Sequence, residues 1–177
     1  MRAGSMPKEK FPSTLILLEH GLPEEFVHAI GELIANFAQL EWSIKFGIQT
    51  LLTCDQAQKG IITADQNFLR LLEMLRSLYF HATNKRVPLQ QVEALCDAAE
   101  EVRKYRNKLL HSTLTKIDNE NIETKKTTIR TRGKGVQQKW EELNLDELKR
   151  LSNKIQSISG EITGIFMGYH DISPPVM

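Results

Sequence analysis

Arg106, Asn107 and His111 lie close together in the stretch Arg103-Lys104-Tyr105-Arg106-Asn107-Lys108-Leu109-Leu110-His111-Ser112. Histidine is the side chain best able to move a proton near neutral pH. Arginine holds a phosphate through its planar fork of N–H donors. Asparagine can fix an imidazole or bind a phosphate oxygen. Together these types suit cleavage of a phosphodiester without a metal. One group withdraws a proton from a ribose 2′-hydroxyl, one stabilises charge on the phosphate, and one protonates the leaving oxygen. RNA supplies its own nucleophile, so the protein need not provide one. A single histidine does not easily serve as both base and acid, but a two-fold homodimer brings two copies to one seam.

The element that must position these residues is an amphipathic helix. Its apolar residues Val92, Leu95, Ala99, Val102 and Leu109 follow the spacing of one buried stripe. Arg106 occupies the slot between Val102 and Leu109, where the pattern calls for an apolar side chain. A guanidinium does not lose its proton, so it must meet a carboxylate, reach a wet cleft or face another subunit. Glu41, at the edge of an earlier apolar stripe, is the expected internal partner. That pair could be purely structural or could orient Arg106 for function. Asn107 and His111 are four apart and share a helix edge, while Arg106 and His111 are roughly 140° apart on an ideal helix. Arg106 is therefore expected to point inward, with Asn107 and His111 to one side, so that one chain presents half a site. His111 has a plainer role open to it, complementing the dipole at the helix C-terminus.

The rest of the chain reads as an all-α, four-helix bundle. Residues 1–22 form an N-terminal arm in which Leu15-Ile16-Leu17-Leu18 is apolar enough to pack on the body or on a second copy; Gly4-Ser5-Met6 has the composition of a cloning scar. The domain spans 23–168, and 169–177 is a tail. A first helix is expected over about 23–52, with Phe26, Ile30, Leu33, Phe37, Leu40, Ile44, Ile48 and Leu51 inside. Gly31 and Gly47 within it are read as tolerated at a small cost. A polar connection covers 53–65, and a second helix runs from about 65 to 82. The third begins at Pro88 and ends near Ser112. Residues 113–138 lose the helical period and carry β-branched residues, which predicts a small β-hairpin-like insert between the third and fourth helices. Asp118-Asn119-Glu120-Asn121 and Gly133-Lys134-Gly135 are its turns. The last helix starts at Asn144, an N-cap with Glu147 three residues on.

Twenty-three basic against 22 acidic residues leave the chain nearly neutral, so only local patches argue for a polyanion partner. One such patch follows the motif: Lys108, Lys125, Lys126, Arg130 and Arg132 are candidate RNA contacts, and Arg103 a supporting cation. A solvated hairpin with ordinary lysines explains the same residues. No apolar run is long enough for a signal or membrane segment, which predicts a cytoplasmic protein with no membrane contact. Cys54 and Cys96 match neither a disulfide framework nor metal-ligand spacing. His20, His28, His81 and His170 also lack ligand spacing, so no metal is expected. No glycine-rich phosphate loop is present, and no cofactor is expected. Trp42 and Trp140 read as core or interface anchors.

Arg106-Asn107-Lys108-Leu109-Leu110-His111 resembles the Arg-x4-6-His motif of the HEPN superfamily, in the form with a polar residue directly after the arginine. Phe37-Ala38-Gln39-Leu40-Glu41-Trp42 resembles the Phe-x-x-Leu-Glu pattern in the first helix of many bacterial members. The resemblance covers roughly 23–168. It implies a four-helix bundle carrying the motif late in a long helix, and a homodimer that cleaves RNA without a metal in a shared cleft. It further implies His111 as the acid–base group, Arg106 as phosphate holder and organiser, and Asn107 as their polar support. Many members are toxins or abortive-infection effectors, some neutralised by a partner antitoxin. Others have lost activity and serve as interaction or regulatory modules for protein or nucleic acid, which is the alternative function for this chain.

Overall fold

The computed structural model describes residues 22–116, 124–131 and 136–167. Among the described residues there are five helices: α1 (Glu24–Leu51), α2 (Gln56–Thr63), α3 (Phe68–His81), α4 (Leu89–Leu110) and α5 (Leu145–Met167). Strands β1 (Thr113–Lys116), β2 (Thr124–Thr131) and β3 (Val136–Leu143) lie between α4 and α5. They form an antiparallel sheet in the order β1-β2-β3. Among the described residues no helix is long and apolar enough to cross a membrane.

Two expectations need correcting. The polar connection over 53–65 contains a helix, α2. Asp55 caps it by accepting from the Gln58 N–H at 2.9 Å, and Gln49 of α1 donates to Thr63 Oγ1 at 2.8 Å, tying α2 to the end of α1. Eight residues with few apolar positions give little periodicity to read, so this helix depends on its cap and its neighbour. The insert is also larger than 113–138, since β3 continues to Leu143. The expected turns at 118–121 and 133–135, the arm at 1–21 and the tail fall outside the described residues.

The direction of the helices follows from their cross-contacts. Asn36 donates to Ser152 Oγ at 2.8 Å, and Ser43 shares a hydrogen bond with Ser159 at 2.7 Å. Both partners advance together along the chain, so α1 and α5 run parallel. Phe37 packs on Phe68 with ring centres 4.7 Å apart, and Gly47 lies beside Leu75, so α3 runs the same way. The α4 helix runs opposite: Arg76 pairs with Asp97, and Lys154 with Glu101 at 3.0 Å. For α3 to start level with Phe37, the chain must travel back along α1 after α2. The segment Ala64–Asn67 does this, turning at Asp65, whose φ of 52° is a left-handed conformation that aspartate tolerates better than most residues.

The core is continuous. Leu33, Leu40, Ile44 and Ile48 of α1, Leu71 and Leu75 of α3, and Leu148, Ile155 and Phe166 of α5 are fully buried. Each such side chain contributes roughly 1.5–3 kcal/mol through its removal from water. One polar thread crosses this core. Ser43 Oγ donates to the Gln39 carbonyl, meets Ser159 and accepts from Thr163 at 2.9 Å. Satisfied buried hydroxyls cost little and penalise any slip of α5 along α1, which would leave them unpaired.

Gly47 has a stronger role than its tolerance in a helix. A Cβ there would lie 2.8 Å from Phe166 Cδ2 and 2.9 Å from Cε2. The Phe166 ring is itself fully buried and packs edge-on against Tyr79. The close approach of α5 to α1 therefore requires glycine at this position.

Candidate active site

The end of α4, the start of α3 and the middle of α1 surround a cleft of about 430 Å³. From α4 come Arg103, Arg106 and Asn107; from α1 come Phe37 and Glu41; from the turn before α3 and its first residues come Gln66, Asn67, Phe68 and Leu69. Antiparallel packing brings the first turn of α3 beside the last turns of α4, which is why residues nearly forty positions apart share one wall.

Arg106 is half-buried, and its guanidinium is held on two sides. The guanidinium carbon lies 4.9 Å from the centre of the Phe37 ring, a cation–π contact. Nη1 donates to Asn107 Oδ1 at 3.0 Å. Nε is buried with no hydrogen-bond partner, and so is Nε of Arg103. A buried guanidinium N–H without an acceptor is costly, and here two of them border the same cleft.

The nearby carboxylates bind other cations. Glu41 Oε1 accepts from Lys45 Nζ at 2.8 Å on its own helix. Glu100 pairs with Lys104 at 3.0 Å and Glu101 with Lys154 at 3.0 Å. The Lys104 ammonium holds the Glu100 carboxyl below its usual range, with Arg103 adding a smaller effect. The expected Arg106–Glu41 ion pair is therefore not formed. Glu41 can reach Lys45 one helical turn along α1 at little cost in side-chain order, while Phe37 occupies the near face of Arg106.

The first turn of α3 adds positive potential. Asn67 caps this helix, its side chain accepting from the Arg70 N–H at 3.0 Å. The positive end of the α3 dipole thus opens on the side where Arg103 and Arg106 sit.

His111 stands apart. It is the C-cap of α4, its backbone N–H donates to the Asn107 carbonyl at 3.0 Å, and its side chain is exposed. The imidazole does not line the cleft. Asn107 lines the cleft with Arg106, while His111, one helical turn further on at the C-cap of α4, does not.

The basic residues after the motif are spread out. Lys108 is exposed on α4. Lys125, Lys126 and Arg130 lie on β2, and Arg132 is outside the described residues. The strand register sets Lys125 opposite Glu142 and Lys126 opposite Glu141.

Of the two roles expected for Trp42, core or interface anchor, the first does not hold. It is not in the core: half of it is exposed, and its ring stacks on Phe46 at 5.4 Å. Gln66, Asn67, Phe68 and Leu69 were not candidates in the sequence. Only Asn67, as an N-cap ahead of an apolar run, carried a local signal, and that signal marks a helix start rather than a site. Compared with family models, with curated proteins and with solved structures, the chain gives no match.

Proposed function

We propose that this chain is a HEPN-type, metal-independent endoribonuclease that works as a homodimer in the cytoplasm. The single observation that carries the reading is the pair of half-buried guanidinia, Arg103 and Arg106, lining one cleft in which, among the described residues, no carboxylate pairs with Arg106. A phosphodiester offers acceptors to the terminal N–H groups of both guanidinia. Arg106, fixed by Phe37 and Asn107, binds the scissile phosphate and stabilises the charge that develops on it. His111 supplies acid–base chemistry across the two-fold seam, which agrees with its exposure outside its own cleft. The resemblance to toxin and abortive-infection members supports a role in growth control or defence, with an antitoxin or other regulatory protein as partner.

The experiment is cleavage of a mixed-sequence RNA in the presence of a chelator by wild type, His111→Ala and Arg106→Ala. Loss of a general acid–base group costs about 10²–10⁴ in rate. Equal cleavage by all three, or strict dependence on added metal, refutes the reading.

The exposed position of His111 favours one rival: an inactive module in which the arginine cleft docks a nucleic acid or protein. That reading expects RNA binding without turnover, and binding that is unchanged in His111→Ala.

A further inference from the structure

We infer that Glu41 is the proton acceptor for the ribose 2′-hydroxyl in the Arg103–Arg106 cleft. This inference rests on the ribonuclease reading and assigns the base to a residue within the cleft. Transphosphorylation needs a base and an acid. His111 stands outside the cleft of its own chain. A two-fold seam offers two histidines for these roles; a carboxylate already in the cleft can take the proton instead, leaving the histidine of the second copy to protonate the leaving oxygen.

Glu41 is the carboxylate that lines the cleft. It shares that wall with Phe37, the residue on which Arg106 is seated. Neither arginine binds it, so its oxygens are not consumed by the phosphate-holding groups. Among the described residues its partner is Lys45, which holds Oε1 at 2.8 Å. Oε2 keeps its acceptor capacity, and the side chain is about one-third exposed, open to a ligand in the cleft.

The charged groups facing it are Lys45 on α1 and Arg103 and Arg106 on α4. The side contributed by α3 and the turn before it carries Gln66, Asn67, Phe68 and Leu69, none of which titrates.

The step balances as follows. Glu41 takes the 2′-hydroxyl proton, and O2′ forms a bond to phosphorus. The P–O5′ bond breaks, and the departing O5′ takes a proton from His111 of the second copy. The products are a 2′,3′-cyclic phosphate and a 5′-hydroxyl. Histidine is left with the acid role alone.

The test uses the full chain, a dinucleotide RNA substrate and its 2′-deoxy analogue. The expected result for Glu41→Gln is a kcat about 10²–10⁴ lower and loss of the acidic limb of the kcat–pH profile. Affinity for the 2′-deoxy analogue should stay within about threefold, as for a group acting only in the transition state. Glu41→Asp should restore the acidic limb at reduced kcat. Retention of that limb by Glu41→Gln with near-wild-type kcat overturns the inference. So does loss of analogue binding in both variants, which marks Glu41 as a structural or binding residue. If the wild type binds the 2′-deoxy analogue and never cleaves RNA, the ribonuclease reading itself falls and takes this role with it.

Discussion

The guanidinium carbon of Arg106 lies 4.9 Å from the centre of the Phe37 ring, so this arginine is fixed by an aromatic face and by Asn107 rather than by a carboxylate. Its positive charge is left for a ligand. An Arg106–Glu41 pair would have largely neutralised it.

Arg106→Lys should therefore behave as a severe change. Lysine keeps the charge but loses the flat contact with Phe37 and the fork that can bind Asn107 and a phosphate together. We expect RNA affinity to fall by about tenfold or more, the scale of one charge-assisted hydrogen bond. Fluorescence anisotropy with a labelled oligonucleotide measures this. Near-wild-type affinity in Arg106→Lys would mean that charge alone matters.

The two glycines of α1 should respond in opposite directions. Gly31 has nothing within 4 Å of an added Cβ, so Gly31→Ala should gain up to about 1 kcal/mol from helix propensity. Gly47→Ala would press a methyl group into the buried Phe166 ring, and overpacking of this kind costs about 1–3 kcal/mol. In a domain of this size 1 kcal/mol shifts Tm by about 2–4 °C. Thermal unfolding should move up for Gly31→Ala and down for Gly47→Ala.

These glycines also mark what the sequence does and does not reveal. Helical periodicity locates α1, α3, α4 and α5 to within a few residues because each buries one long stripe. It identifies Gly47 only as a helix position, since the neighbour that makes it obligatory, Phe166, is 119 residues away. The same limit governs the site. Arg106 is visible because it breaks an apolar stripe of its own helix. Its seat on Phe37 depends on how α4 packs on α1, and its neighbours Gln66 and Asn67 on α3 running parallel to α1. Glu41 is visible as a candidate, but its partner is not, because Lys45 and Arg106 are equally acceptable cations until the helices are packed.

Tyr79 ties the turn between α3 and α4. It is fully buried; its hydroxyl donates to the Val87 carbonyl at 2.8 Å and accepts from the Val87 N–H at 3.1 Å. Tyr79→Phe strands both backbone groups and should destabilise by about 1–3 kcal/mol, seen as a lower denaturant midpoint with an unchanged slope.

The two cysteines should differ in reactivity. Cys96 is fully buried, and burial pushes its thiol up, partly offset by the Arg76 guanidinium beside it. Cys54 is partly exposed. Because the thiolate is the reactive form, an aromatic disulfide reagent should label one thiol in the native protein, and mass mapping should place it at Cys54. Cys96 should react only on unfolding. Equal rates would contradict the packing of α3 against α4 at this point.

The central claim is that the Arg106 cleft cleaves RNA through the ribose 2′-oxygen. The most direct measurement is mass analysis of the ends formed from a defined oligoribonucleotide with chelator present, beside the same oligonucleotide carrying 2′-deoxy sugars. The account predicts a 2′,3′-cyclic phosphate and a 5′-hydroxyl from the first and no cleavage of the second. Cleavage of the deoxy strand, or products ending in a 5′-phosphate, would contradict it.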